Sequence, residues 1–389
     1  MKILFCSHEQ FLPLTGGCTI GNIQIVQKMS ERGHNVVIST PLYIDKKPIE
    51  ETYKIKFEPF SPFYMHRKIK FRMAKYFFYA FLYMFHAIKI SKKYNFDVLF
   101  VRNCVLVIPL LIAKKLGFIK KPIFVSLTDF LTAFLYEDKK YPKKLIDILF
   151  YIETTAPRYC DKIFVITPYM KEELVKRKVP ADKIVITYDG ADVDVFNPEK
   201  ISEEQINSVK KESGFSDNIV LFHGTIELHH GTNTMKNILE WTSKKANNVN
   251  FLIIGIGKNY KDLQKQINLP NVKFLDFVPS EQIPKYIAAA KVGIIPYQKS
   301  YGLDLVLTLK LLEYLSMGTP AVTLRHKSIE EVFGKYDFLK IADSIEDFGD
   351  KILEALKLPK FQTAVNLIRE QFSWDKVTTK ICEEIESFK

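Results

Sequence analysis

Lys310 and Glu313 stand three residues apart in the run LTLKLLEYLSMGTPAV (307–322), one cation and one carboxylate among leucines. The loop PYQKSYGLDLVLT before them leaves an apolar, strand-like run. A helix starting near 307–309 would therefore begin with free backbone N–H groups and its positive dipole end, which together suit a diphosphate. Lys310 would add a full charge there, and Glu313, one turn along, would accept hydrogen bonds from a ribose diol. The alternative is a solvated i, i+3 pair. A second such place is the Gly16-Gly17 pair after KILFCS. Two glycines opening a helix let backbone amides approach a phosphate or a sugar where a side chain would obstruct, although alone they make only a tight turn.

These residues need elements to hold them. Short aliphatic runs alternate with helix-like segments along all 389 residues: KILFCS, NVVIST, DVLFVR, PIFVSL, KIFVIT and KIVITY in the first half, NIVLFHG, NFLIIGIG, VKFLDFV, VGIIPY and TPAVTL in the second. That alternation predicts an α/β chain of two Rossmann-like, doubly wound domains, with ligand sites at the carboxyl ends of the strands and a cleft between the domains. YDGADVDVFNPEK interrupts it midway. The expected organisation is an N-terminal domain over 1–195, a linker with an entry helix over 196–216, a C-terminal domain over 217–370 and a last helix over 371–389 that crosses back to the first domain.

Composition excludes several classes. Apolar residues are 47% and charged residues 26%, a globular balance. Five scattered cysteines without C-x-x-C spacing indicate neither a disulfide framework nor a zinc site. The DVD at 192–194 falls in the linker, GIGK at 255–258 lacks the rest of a dinucleotide fingerprint, and His223, His229 and His230 have no carboxylate or cysteine ligands close in sequence, so no metal is expected. MKILFCSHEQ has no long apolar signal region, which places the chain in the cytoplasm. Its net charge of +12 is uneven, with 31 Lys and Arg against 17 Asp and Glu in residues 1–190. A basic half of this kind faces an anionic partner, and without a nucleic-acid reader motif a membrane surface is the expected one.

The segment 64–93, YMHRKIKFRMAKYFFYAFLYMFHAIKISKK, sharpens that expectation. Its apolar centre is too short to span a bilayer. Flanked by Arg67, Lys68, Lys70, Arg72 and Lys75, it reads either as a helix lying in a membrane interface or as a core helix whose lysines reach outward. These cations, together with Arg102 at the end of DVLFVR, are the expected acceptor- or membrane-contacting residues, and the protein is expected to be peripheral on the cytoplasmic face.

In order and spacing these pieces resemble glycosyltransferase family 4, the group 1 retaining transferases of the GT-B fold. The resemblance rests on TGG after the first strand, YDGADVDVFNP at the linker, VLFHGTIELHHG, LIIGIGKNYKDL, KLLEYLSMGTPAV for the family's Glu-Ala-Met-Ala signature, and FSWDKV near the end. It implies retaining transfer of a sugar from a nucleotide-diphosphate donor, held by the C-terminal domain, to an acceptor held by the N-terminal one. The donor is expected to be UDP- or GDP-linked with no metal required, and the basic aromatic helix makes a lipid-linked or cell-surface glycan the expected acceptor. Glu313 matches the second Glu of the family's E-x7-E motif, and Gly16, Gly17, Gly224, Thr225, His230, Gly255 and Lys310 join it as donor-binding positions.

The departures from the family pattern are specific. Leu305 stands where the first Glu belongs, with Asp304 adjacent as a substitute. Thr225 and His230 replace the Arg and Lys that grip the diphosphate, a loss of about 3 kcal/mol if each cation contributes one charged hydrogen bond. The histidine expected after the fourth strand is absent, and Asp129 is the polar candidate for the reacting centre, with a helix cap as its alternative. A degenerate protein acting as a binding or scaffold subunit is the competing reading.

Overall fold

The computed structural model describes residues 1–9, 17–41, 46–47, 50–51, 55–62, 72–137, 141–226, 231–257 and 259–388, with the backbone alone for 17–18, 72–75 and 137. The chain forms two compact units, Met1–Asp189 with Trp374–Lys389, and Gly190–Ser373.

The first unit is built on a parallel sheet of seven strands in the order β3-β2-β1-β4-β5-β6-β7. In chain order these are β1 (Lys2–Cys6), β2 (Asn35–Ser39), β3 (Lys56–Phe57), β4 (Val98–Arg102), β5 (Ile123–Leu127), β6 (Lys162–Val165) and β7 (Ile184–Ile186). Every residue of β4 and β5 is buried. Covered on both faces, such strands must read as continuous apolar runs rather than alternating ones, which is how VLFVR and IFVSL read. The strand order reverses between β1 and β4, which marks the carboxyl ends of those two strands as the place for a ligand.

The last helix, Trp374–Glu386, packs on the helix Gly17–Glu31 of this unit. Arg32 donates to both oxygens of Glu386, at 2.8 and 3.2 Å, and Lys162 pairs with Glu384 at 2.7 Å. A Cβ on Gly21 would lie 2.9 Å from the Trp374 ring, so only glycine leaves the indole its seat there. The aromatic segment forms the helix Arg72–Tyr94, which carries both buried and exposed aromatic rings. Tyr79 and Tyr83 are fully buried, the Tyr83 hydroxyl donating to the Ser39 carbonyl, while Phe77, Phe78, Phe81 and Phe85 stand in solvent.

The second unit holds a six-stranded parallel sheet, β10-β9-β8-β11-β12-β13, with its order reversed between β8 and β11. Its strands are β8 (Ile219–Thr225), β9 (Asn250–Ile256), β10 (Val272–Leu275), β11 (Val292–Ile295), β12 (Ala321–Leu324) and β13 (Leu339–Ala342). The helix Glu203–Ser213 enters it behind a capping box between Ser202 and Gln205 and stops at left-handed Gly214. Leu309–Ser316 is a helix that ends at left-handed Gly318 before the buried β12.

Candidate functional site

In the second unit the predicted residues gather at the carboxyl ends of β8 and β9, beside β11. Gly224 and Gly255 are register partners on β8 and β9, and a Cβ on Gly255 would meet the Gly224 carbonyl at 2.2 Å. The helix Leu309–Ser316 is fastened over β8 by Tyr314, whose hydroxyl donates to the Leu221 carbonyl at 3.0 Å while its ring fills the space a Cβ on Gly293 would need. Thr308, at the N-cap position, makes no side-chain cap bond, so the first-turn amides keep their dipole end.

From this helix Lys310 reaches across Gly224 and donates to the Tyr297 hydroxyl at 2.7 Å. Gly224 has φ +114, and a Cβ there would stand 2.4 Å from Lys310 Cε and 2.7 Å from Nζ, so the glycine is the channel for the lysine arm. Glu313 sits one turn on with its side chain 17% exposed, its Oε2 3.4 Å from His223 Nε2. This is not an ion pair. Burial pushes the Glu313 carboxyl up to about 7 despite the Lys310 charge, and burial together with that same charge pushes His223 down to about 3. His223 Nε2 has no hydrogen-bond partner, since 3.4 Å without alignment is too weak a contact to count. A buried carboxyl that can accept hydrogen bonds and an uncommitted ring nitrogen therefore share a wall beside one ammonium group, a setting that suits hydroxyls near a phosphate.

Asp304 is employed differently from the expectation. Its Oδ1 accepts the Lys327 backbone N–H at 3.1 Å and lies 3.7 Å from His326 Nδ1, and its carbonyl accepts the Ser328 hydroxyl at 2.6 Å. It thereby caps the helix Lys327–Phe333. Leu305 is wholly buried, and Asp304 Oδ1 is engaged by the Lys327 amide while its side chain stays 22% exposed. Thr225 ends β8, half-buried. Gly16 and His230, with Arg67, Lys68 and Lys70, lie outside the described residues; Gly17, Arg72 and Lys75 are described in backbone only, each within a helix.

In the first unit Arg102 is 4% exposed and donates to Asn22 Oδ1 at 2.8 Å and Ser126 Oγ at 2.6 Å. It braces β4, β5 and the helix Gly17–Glu31 from within, which corrects its grouping with surface cations meeting a membrane. Asp129 follows β5 as expected. Burial, then Glu9 and Glu153, pushes its carboxyl up to about 7 against the Arg102 charge. Asp189, after β7, is raised to about 6 by burial, again opposed by Arg102. Asp129 thus titrates near neutrality, where a general base or acid is useful.

The turn that follows Asp129 is held by Glu153, which accepts from the Leu131 and Thr132 backbone N–H groups at 2.9 Å each and from the Thr132 hydroxyl. Glu153→Ala should cost about 3 kcal/mol by stranding two buried amide donors, and Glu153→Gln less because its amide oxygen still accepts one. Urea unfolding of the two variants would measure the difference, and equal losses would show that the carboxylate has no such task.

Glu153, Asp189, Tyr297 and the setting of His223 were not singled out from sequence. Tyr297 carries the one available signal, as the residue two places beyond β11. Among the described residues no helix is long and apolar enough to cross a membrane, and no three or more His, Cys, Asp or Glu residues are placed to hold a metal ion.

Known proteins resemble this chain in sequence and in fold. Residues 15–195 match the family model Glycosyltransferase Family 4, and residues 217–357 match Glycosyl transferases group 1. O-antigen chain mannosyltransferase B of Escherichia coli is 29% identical over 114 residues, a match spanning 28% of each chain. Among solved structures, HepE of Anabaena in complex with UDP superimposes with TM-score 0.75 at 16% identity over the whole of both chains. WaaG, a glycosyltransferase involved in lipopolysaccharide biosynthesis, does so with TM-score 0.70 at 16% identity over 99% of this chain and all of its own. At such identities the likeness is one of fold.

Proposed function

This chain belongs to the family 4, group 1 glycosyltransferases of the GT-B fold, and from that premise we propose how it divides the work of sugar transfer. The second unit holds a UDP- or GDP-linked sugar without a metal. Its diphosphate lies at the amides that open Leu309–Ser316 and against Lys310, and its ribose hydroxyls donate to Glu313. The first unit takes a lipid-linked or other glycan acceptor. Asp129 is the candidate group there for steering the acceptor hydroxyl proton, and the sugar keeps its anomeric configuration. The observation that carries the reading is the reach of Lys310 over Gly224 to Tyr297, which plants an ammonium group beside a buried carboxyl at the topological switch between β8 and β11. The UDP complex of HepE supports a nucleotide-sugar donor, and the O-antigen and lipopolysaccharide relatives support a surface-polysaccharide setting.

Titration calorimetry with UDP, GDP and their sugar conjugates tests the donor half. One nucleotide should bind selectively, and its sugar conjugate should be consumed only when an acceptor is supplied. The buried Leu305 and the engaged Asp304 favour a second reading, a binding subunit without turnover. Binding without transfer to any glycan acceptor would select that reading, and no binding of any nucleotide would overturn the donor assignment.

A further inference from the structure

We propose that the outer surface of three adjacent helices in the first unit, Arg72–Tyr94, Val107–Lys115 and Lys143–Thr155, docks on an anionic lipid bilayer. The three make the crossovers from β3 to β4, β4 to β5 and β5 to β6, all in one direction along the sheet. Right-handed crossovers in one direction put them on one face, opposite the layer that carries Gly17–Glu31 and the last helix. Arg72–Tyr94 packs on Val107–Lys115, which packs on the turn Ala156–Tyr159 that closes the third helix.

The outward side of this layer is apolar where a surface would be polar. Phe77, Phe81 and Phe85, at successive i, i+4 positions, are 71%, 50% and 54% exposed, and Ile112 and Ile148 on the neighbouring helices are 48% and 58% exposed. Among the described residues, every large apolar side chain of comparable exposure except Met1, Val175, Ile256, Phe277 and Phe388 lies on this layer or its closing turns. Single exposed apolar residues need no explanation, but a contiguous patch marks an interaction site.

Charge identifies the occupant. Neither Arg72–Tyr94 nor Val107–Lys115 contains an Asp or Glu, and exposed lysines stand at the helix ends, Lys89 and Lys92 on the first, Lys115 on the second, Lys143 and Lys144 on the third, where they outnumber its one exposed acid, Asp147. An apolar centre rimmed by ammonium groups fits acyl chains beneath anionic headgroups. A second copy of the same face would oppose lysines to lysines. Among the described residues no helix is long and apolar enough to cross a membrane, so this face would lie on the bilayer. This places the acceptor of the proposed reaction at a lipid surface, yet it stands on these helices alone, so failed vesicle binding would leave the nucleotide titration untouched.

Flotation of the purified full chain with vesicles of phosphatidylcholine, or of phosphatidylcholine mixed with phosphatidylglycerol, tests it. Binding to the mixed vesicles should exceed binding to phosphatidylcholine by at least about tenfold and fall as salt is raised. The triple variant Phe77→Ser, Phe81→Ser, Phe85→Ser should lose about tenfold in binding, the pair Ile112→Ser, Ile148→Ser should also lose binding, and Phe277→Ser in the second unit should lose none. These side chains are solvent-exposed, so the variants should melt with the parent and bind nucleotide as it does, which separates a lost surface from a lost fold. A parent that stays out of the vesicle fraction would overturn the proposal, as would binding that both variants retain. Sedimentation showing a dimer that the triple variant dissociates would give the face to a second copy instead.

Discussion

Glu313→Ala should weaken nucleotide binding by about 100-fold, the equivalent of roughly 3 kcal/mol for two hydrogen bonds from ribose to a charged acceptor. Glu313→Gln should do much of the same harm to binding while making the free protein more stable. The sign follows from burial. The carboxyl is raised from 4.5 in the unfolded chain to about 7 in the folded one, with burial the cause and Lys310 opposing it. Below pH 4.5 both states are protonated and the group contributes no difference. Between pH 4.5 and 7 the unfolded chain gives up the proton that the folded chain keeps, so stability falls across that window and is level above it. The full cost is about 3 kcal/mol, which the neutral glutamine does not incur. Unfolding at pH 8 should therefore find Glu313→Gln the more stable protein, with a flatter profile from pH 4.5 to 7. Nucleotide affinity should rise with pH through 7 in the parent and not in the variant. A variant less stable than the parent at pH 8 would show that Glu313 is kept for packing, and unchanged affinity would remove it from the site.

The conflict between stability and binding at Glu313 explains what could and could not be read from the chain itself. Parallel strands covered by helices read as largely apolar runs, and eleven of the strands are legible in this way. The two strands missed, β3 and β13, are both edge strands, one a two-residue pairing and the other the short mixed run LKIA, too brief or too polar to stand out where a partner lies on one side only. A carboxylate stranded among leucines is likewise conspicuous, because burying it costs free energy that packing does not return. Lys310 was legible for the same reason. The task of Asp304 was not, since it caps a helix beginning 23 residues later and no local spacing encodes that contact. Arg102 resembled a surface cation at the end of a strand until the fold supplied Asn22, 80 residues away, as its acceptor. The aromatic helix left two readings open because one helix presents both a core stripe and a solvent stripe, and composition averages over them.

Lys310→Met should reduce affinity for the nucleoside diphosphate by about 10- to 100-fold, the loss of one charge-assisted contact to phosphate, and should flatten the dependence of binding on salt. Gly224→Ala should reproduce that loss without touching the lysine. Its new methyl would occupy the path of the Lys310 arm, 2.4 Å from Cε, and its φ of +114 is one that alanine adopts only under strain, at a cost of about 1–3 kcal/mol in stability. If Gly224 acts only by giving the lysine its route to Tyr297, the double variant should bind no more weakly than Lys310→Met alone, while retaining the stability loss of Gly224→Ala. Calorimetry on the two singles and the double closes the cycle. Additive losses would mean that the Gly224 backbone meets the ligand itself, as the close approach of β8 to β9 there would also permit. A Gly224→Ala protein with parental affinity would show that Lys310 reaches the phosphate by another route, and the ammonium held on Tyr297 would then be a resting position that the donor does not use.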